Sequence, residues 1–185
     1  MKTSHTRNTV RFHGYHTTES KNIDKIIKPT DFIPSVKNDT WLGEGIYFWT
    51  DYSNALDWAK FRGYGEDFII YKCLLECPVD NYFDLDDTDN INVYNNFVIS
   101  YYDNFKSNKE ENNESIEKMR PINKKEAWSY FVGLFCKKNN IYLVKRTFEH
   151  LSKNPKGLMG HLKTQICVRN AYKGEIIKEM ELVYE

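Results

Sequence analysis

Runs of β-forming residues and stretches of helical spacing interleave along the whole chain. VRFHGYHTT opens as a strand, because Val10, Phe12 and the aromatic and Thr residues after them favour extended backbone. Gly14 within it leaves a place where a ligand can approach the main chain. SKNIDKIIK follows with Ile23, Ile26 and Ile27 at helical spacing, Ser20 as its expected cap and Pro29 as its stop. The turn-rich TDFIPSVKNDT leads into WLGEGIYFWTDY, where two glycines precede a compact aromatic strand. Asp51 or Ser53 is placed to cap the helix NALDWAKFRG, in which Ala55, Trp58 and Ala59 share a core face and Gly63 is the stop.

EDFIIYKCLLECPVD carries the strongest strand signal, and the alternating NYFDLDD comes next. INVYNNFVISYYDNF has its apolar residues at helical intervals. SNKEENNESIEKMRP is polar and Asn-rich, which predicts a mobile loop at 106–121. KKEAWSYFVGLFCKKNN is patterned as an amphipathic helix, and IYLVKRTFEHL, TQICVRN and IIKEMELVY as strands separated by turns, with the loop KNPKGLMGH after the first. The pattern as a whole predicts an α+β fold, with helices beside a mostly antiparallel core, in a single domain spanning 1–185.

Composition narrows the function classes. A chain that is 41% hydrophobic and 15% aromatic has too much apolar surface to be disordered, and 185 residues is the ordinary size of one domain. Lys plus Arg and Asp plus Glu both number 26, so no global basic field draws in nucleic acid. Single cations such as Arg11, Lys145, Arg146 and Arg169 remain candidates for a diphosphate or nucleic-acid contact, although a solvated face is the commoner fate of such residues. Cys73, Cys77, Cys136 and Cys167 lie among apolar neighbours, with no CxxC pair or His at ligand spacing, so free thiols and no metal are expected. No run approaches the roughly 20 apolar residues of a membrane span, which points to a protein without membrane contact that is cytoplasmic, or exported by a route that needs no such run.

Three pieces carry candidate chemistry: a strand with an apolar-flanked His-Gly, a Gly-x-Gly-Ile-Tyr-Phe strand followed by a helix containing Ala and Trp, and a late strand beginning Thr-Gln-Ile. In this order, FHG, LGEGIYFW, ALDWA and TQICV together resemble the ADP-ribosyltransferase superfamily, in the branch with a His-Tyr-Glu type triad shared by diphtheria-like toxins and poly-ADP-ribose polymerases. The resemblance covers about half the chain, strongly over 10–60 and less so over 145–170. It implies split antiparallel sheets with flanking helices, and NAD as substrate.

By that resemblance His13 hydrogen-bonds the adenosine ribose, the backbone of Gly14 clamps the nicotinamide amide and Tyr47 stacks on the nicotinamide ring. Gly43 and Gly45 leave room for the dinucleotide, while His16, Thr17 and Thr18 line its ribose and phosphate side or simply end a strand. The assignment is physically reasonable, since a flat ring is best gripped by an aromatic face and a backbone donor–acceptor pair. Breaking the N-glycosidic bond develops an oxocarbenium-like ribose, which a nearby carboxylate would stabilise. The chain departs from the family here, with Gln165 where that Glu is expected; Glu149 is the alternative carboxylate and Glu44 sits in the glycine turn.

A neutral amide can orient a ribose but supplies neither charge nor a base. The resemblance therefore implies a mono-ADP-ribosyltransferase acting on a protein or nucleic acid, of the kind found among toxins of toxin–antitoxin systems and phage-defence effectors, with an antitoxin as partner. A catalytically silent NAD or ADP-ribose binding module and an NAD glycohydrolase are the alternatives.

Overall fold

A computed structural model of the chain describes residues 8–36, 40–107, 124–150 and 161–184. Seven strands form one mixed sheet in the order β4-β5-β6-β2-β1-β3-β7. β1 is Thr9–Glu19, β2 Ile46–Trp49, β3 Phe68–Pro78, β4 Tyr82–Asp84, β5 Leu143–His150, β6 His161–Val168 and β7 Ile177–Tyr184. The helices are α1 Tyr52–Arg62, α2 Thr88–Ser107, α3 Lys124–Lys138 and the one-turn α4 Lys173–Ile176. The chain is thus mixed α and β, as its interleaved patterns predict.

Most ladders are antiparallel, but β4 and β5 run parallel. A parallel pair needs a long crossover, and the segment holding α2 and α3 supplies it. The expectation of split sheets meets a single continuous sheet with one narrow waist. β1 pairs with β3 along its whole length, and β5 with β6 along theirs, yet β1 meets β2 at one register pair, Tyr15↔Trp49. β7-β3-β1 and β2-β6-β5-β4 are two halves joined at that point.

The apolar positions form three clusters that follow from strand alternation. One face of the sheet carries Ile46, Phe48, Tyr71, Leu75, Ile166 and Val168, closed over by Ile26, Phe32 and Ile176 from the irregular segments and α4. On the other face, α1 covers Phe68 and Ile70 with Ala55 and Ala59, while α2 and α3 cover Val144 and Cys167 with Tyr94, Phe131 and Phe135. β3 is apolar without alternation over Phe68 to Tyr71 because both of its faces are covered.

Local details differ from the sequence reading at helix ends. Residues Ser20–Lys25 form a 3₁₀ turn with no side-chain cap, since a segment this short between a strand and Pro29 cannot nucleate α-helix. Asp51 is the N-cap residue of α1, but its carboxylate accepts from the Thr50 hydroxyl at 2.8 Å instead of from the helix. Gly63 ends α1 at φ +69°, a left-handed conformation that glycine adopts without strain. The loop expected at 106–121 lies outside the described residues except for 106 and 107, which end α2. The loop KNPKGLMGH likewise lies outside them apart from its last residue, His161, the first of β6. Cys73, Cys77, Cys136 and Cys167 are buried and free, and burial raises all four thiols, Cys73 and Cys77 to about 12 and Cys167 to about 11.

Candidate functional site

The glycine turn before β2 is braced from several sides. The Tyr47 hydroxyl donates to the Gly43 carbonyl at 2.6 Å and accepts from the Leu42 amide at 3.0 Å. Thr40 Oγ1 also donates to the Gly43 carbonyl, at 3.0 Å, and Arg169 Nη1 to that of Glu44, at 2.7 Å. Gly43 adopts φ +75° and has Arg169 and α3 so close that a Cβ would lie 2.9 Å from Arg169 Nη1. Burial, reinforced by Cys167, holds the Tyr47 phenol well above its usual pKa, so it stays neutral and keeps its donor. The half-buried ring packs beside the α2–α3 cluster.

At the waist of the sheet, the link between β1 and the start of β2 is a side chain. His16 Nδ1 lies 2.8 Å from the Tyr47 carbonyl, which only accepts, so Nδ1 carries the proton and Nε2 is left as an acceptor. The ring is edge-on to Phe32, with centroids 4.9 Å apart, and tilted against Phe48. Burial pulls the His16 pKa below its ordinary value, and the bond to Tyr47 offsets this only in part. The folded chain therefore prefers the neutral ring, and the unfolded chain takes up the proton first as pH falls through about 6.5. The stability difference between wild type and His16→Asn should be constant above that pH. It should shrink as pH falls below it, down to the lowered folded pKa, in urea titrations across pH 8 to 5.

On the helix-covered face, one row of side chains crosses the sheet. Tyr15 is paired with Trp49, Trp49 with Gln165 and Gln165 with Arg146, and residues directly opposite in an antiparallel ladder point to the same face. Tyr15 packs on Tyr52 and Trp49 on Trp58 of α1, while Arg146 lies over Trp128 of α3, 4.5 Å from the ring centroid. Gln165 occupies the half-buried strip between these two walls. In the next row Lys163, paired with Phe148, donates to Asp57 Oδ2 of α1 at 2.9 Å.

The structure brings Tyr47 and Gln165 into neighbouring rows and leaves other expected residues apart. His13 is exposed on β1 opposite Leu74. Tyr47 would fall opposite Thr17, so His13 is displaced from it by about 13 Å along the strand. Gly14 lies under Phe48, and a Cβ there would come within 2.8 Å of Phe48 Cβ, so its bareness serves packing. Thr17 Oγ1 donates to the Ala55 carbonyl of α1, and Thr18 Oγ1 accepts from Asn22, so both hydroxyls are engaged locally. Gly45 fits against β6, while the Glu44 side chain is exposed. Glu149 is exposed and alternates with Phe148, on the face of β5 away from Gln165.

Of the four candidate cations, Arg11 is paired with Glu76 at 2.8 Å, and Lys145 with Asp84 at 2.7 Å and Asp86 at 3.1 Å. Arg169 is spent on the Glu44 carbonyl and Cys136 Sγ, with its Nε buried and unpartnered. Lys163 was singled out by no motif, although period-2 alternation from Gln165 places it on this face, along with Trp49 of LGEGIYFW. Among the described residues no group of three or more His, Cys, Asp or Glu could hold a metal ion, and no helix is long and apolar enough to cross a membrane.

No family model matches the chain, and neither does any solved structure. Over 81 residues the chain is 32% identical to an uncharacterized protein of Methanocaldococcus jannaschii, a match that covers 41% of this chain and 38% of that protein. The chain thus matches well under half of that relative's length, and the relative's description carries no activity.

Proposed function

We propose that this chain is an NAD-dependent mono-ADP-ribosyltransferase with an ADP-ribosyltransferase-like fold. The observation that carries the reading is the row at the waist of the sheet in which Trp49 and Gln165 stand side by side on the helix-covered face, with Tyr47 in the neighbouring row. The sheet is nearly parted there, as a split-sheet fold requires, while His16 lies on the opposite face among Phe32 and Phe48. Trp49, in register with Gln165, offers an aromatic face to the nicotinamide beside Tyr47.

Gln165 makes no side-chain hydrogen bond to another described residue, so its amide is available to hold a ribose hydroxyl. The glycosidic electron pair leaves with neutral nicotinamide, and the acceptor's lone pair forms the new bond to the anomeric carbon. Because the amide cannot take a proton at neutral pH, the acceptor sheds its own to solvent after attack. That favours nucleophiles reactive without prior deprotonation and a single transfer. We extend the reading, on the family resemblance alone, to a cytoplasmic toxin or phage-defence effector that modifies protein or nucleic acid and is restrained by an antitoxin.

The test is incubation of the purified protein with labelled NAD and a cell extract, following nicotinamide release and label in the protein, RNA and DNA fractions, with Gln165→Ala as control. Nicotinamide release with label in one fraction, lost in the control, is expected and names the acceptor class. Release without label would make the chain a glycohydrolase. NAD or ADP-ribose binding with neither signal would make it a silent binding module, and no binding at all would end the reading.

A further inference from the structure

We infer that Arg146, held on Trp128 and flanked by Gln165, is the anchor of a subsite for the diphosphate of a nucleotide. Unlike Arg11, Lys145, Lys163 and Arg169, the half-buried Arg146 has no hydrogen bond or ion pair with a described residue. Its guanidinium lies 4.5 Å from the Trp128 ring centroid and 5.7 Å from that of Phe148. Aromatic contact of this kind fixes the plane of the group but leaves its N–H edges, five donors in a rigid fork, without an acceptor among the described residues.

The surroundings select the ligand. The row from Tyr15 to Arg146 contains no carboxylate, and Asp57 in the neighbouring strip is already bound by Lys163. A half-buried cation without a counter-charge is costly, and a phosphate oxygen pair matches its fork geometry. The indole N–H of Trp128 is likewise buried without a partner, a second unused donor at the same wall.

The proposal deepens the transferase reading and rests on Gln165 orienting the ribose. Gln165 and Arg146 are directly opposed in the ladder, so their Cβ atoms stand roughly 5 Å apart, the scale that separates a ribose ring from the phosphate on its 5′ carbon. A nucleic-acid backbone fits less well, because the chain has zero net charge and the guanidinium stands singly against the α3 wall.

Calorimetric binding of ADP, adenosine, inorganic pyrophosphate and a single-stranded oligonucleotide to wild type, Arg146→Lys and Arg146→Ala tests this without turnover, with circular dichroism confirming that each variant is folded. ADP should bind at least about tenfold more tightly than adenosine. Arg146→Ala should abolish that advantage and Arg146→Lys retain part of it, since an ammonium lacks the bidentate fork. Pyrophosphate should follow ADP. Equal binding of ADP and adenosine by wild type, or an undiminished ADP advantage in folded Arg146→Ala, would overturn the subsite. So would sensitivity to the substitution confined to the oligonucleotide. If ADP binding depends on Arg146 but no nicotinamide is ever released, the subsite stands and the transferase reading falls.

Discussion

Replacing Gln165 with alanine should lower nicotinamide release about 100-fold at unchanged melting temperature, the scale expected when a reacting group is no longer held in its attack geometry. The residue is half-buried on β6 between α1 and α3 and makes no side-chain hydrogen bond to another described residue. Truncation therefore breaks no internal network and opens no closed cavity, and stability should be spared. Gln165→Glu separates orientation from charge. It keeps the acceptor oxygen and adds the carboxylate usual in ADP-ribosyltransferases, beside Arg146 in the ladder, so on the proposed function release should be retained or raised. Undiminished release in Gln165→Ala would remove Gln165 from the mechanism. Loss in Gln165→Glu equal to that in Gln165→Ala would show that the neutral amide itself is needed. Initial rates with labelled NAD, alongside thermal melts, read both quantities.

The second large effect concerns stability. Gly45→Ala should destabilise the chain by about 3 kcal/mol, the upper range for forcing atoms into a packed site, and so lower the melting temperature by roughly 6–12 °C. A Cβ at this position would stand 2.5 Å from the Val168 carbonyl oxygen and 2.6 Å from Cys167 Sγ. Both belong to β6, whose backbone is tied to β2 and β5 and cannot retreat cheaply. The other side is closed as well, since Gly45 exchanges backbone hydrogen bonds with Ser35 at 2.8 and 3.1 Å. Gly63→Ala is the informative contrast: it also replaces a glycine, but nothing lies within 4 Å of the added Cβ. Only its left-handed backbone resists, a cost of about 1 kcal/mol. Equal losses in the two variants would mean that backbone conformation, and not contact with β6, sets the requirement at Gly45.

Several elements were legible before any fold was known. The periodicity of KKEAWSYFVGLFCKK became α3, the continuous apolar run of EDFIIYKCLLECP became β3, and Gly63 stops α1 as a glycine C-cap should. The site was less legible. His13 and His16 lie three residues apart on one strand, and FHG drew attention to the first. His16 is the one bonded to β2 because of the register Tyr15↔Trp49, a long-range pairing with no local signature. The same holds for Glu149, whose distance along the chain from Gln165 says nothing of the face it occupies.

The sequence by itself determined the strands and the three longer helices, the aromatic richness that supplies the core, the zero net charge, and the two glycines and Gln165 that mark the candidate chemistry. Each is a matter of local propensity, spacing or composition, which a chain carries whatever its fold. Only the tertiary structure decided that the sheet narrows to one pair between β1 and β2, that Tyr47 braces the glycine turn through its hydroxyl, and that Arg146 pairs with no described residue while Arg11 and Lys145 are neutralised. Those outcomes depend on which strands become neighbours and in what register, and register is set by the combined burial of both faces of the sheet.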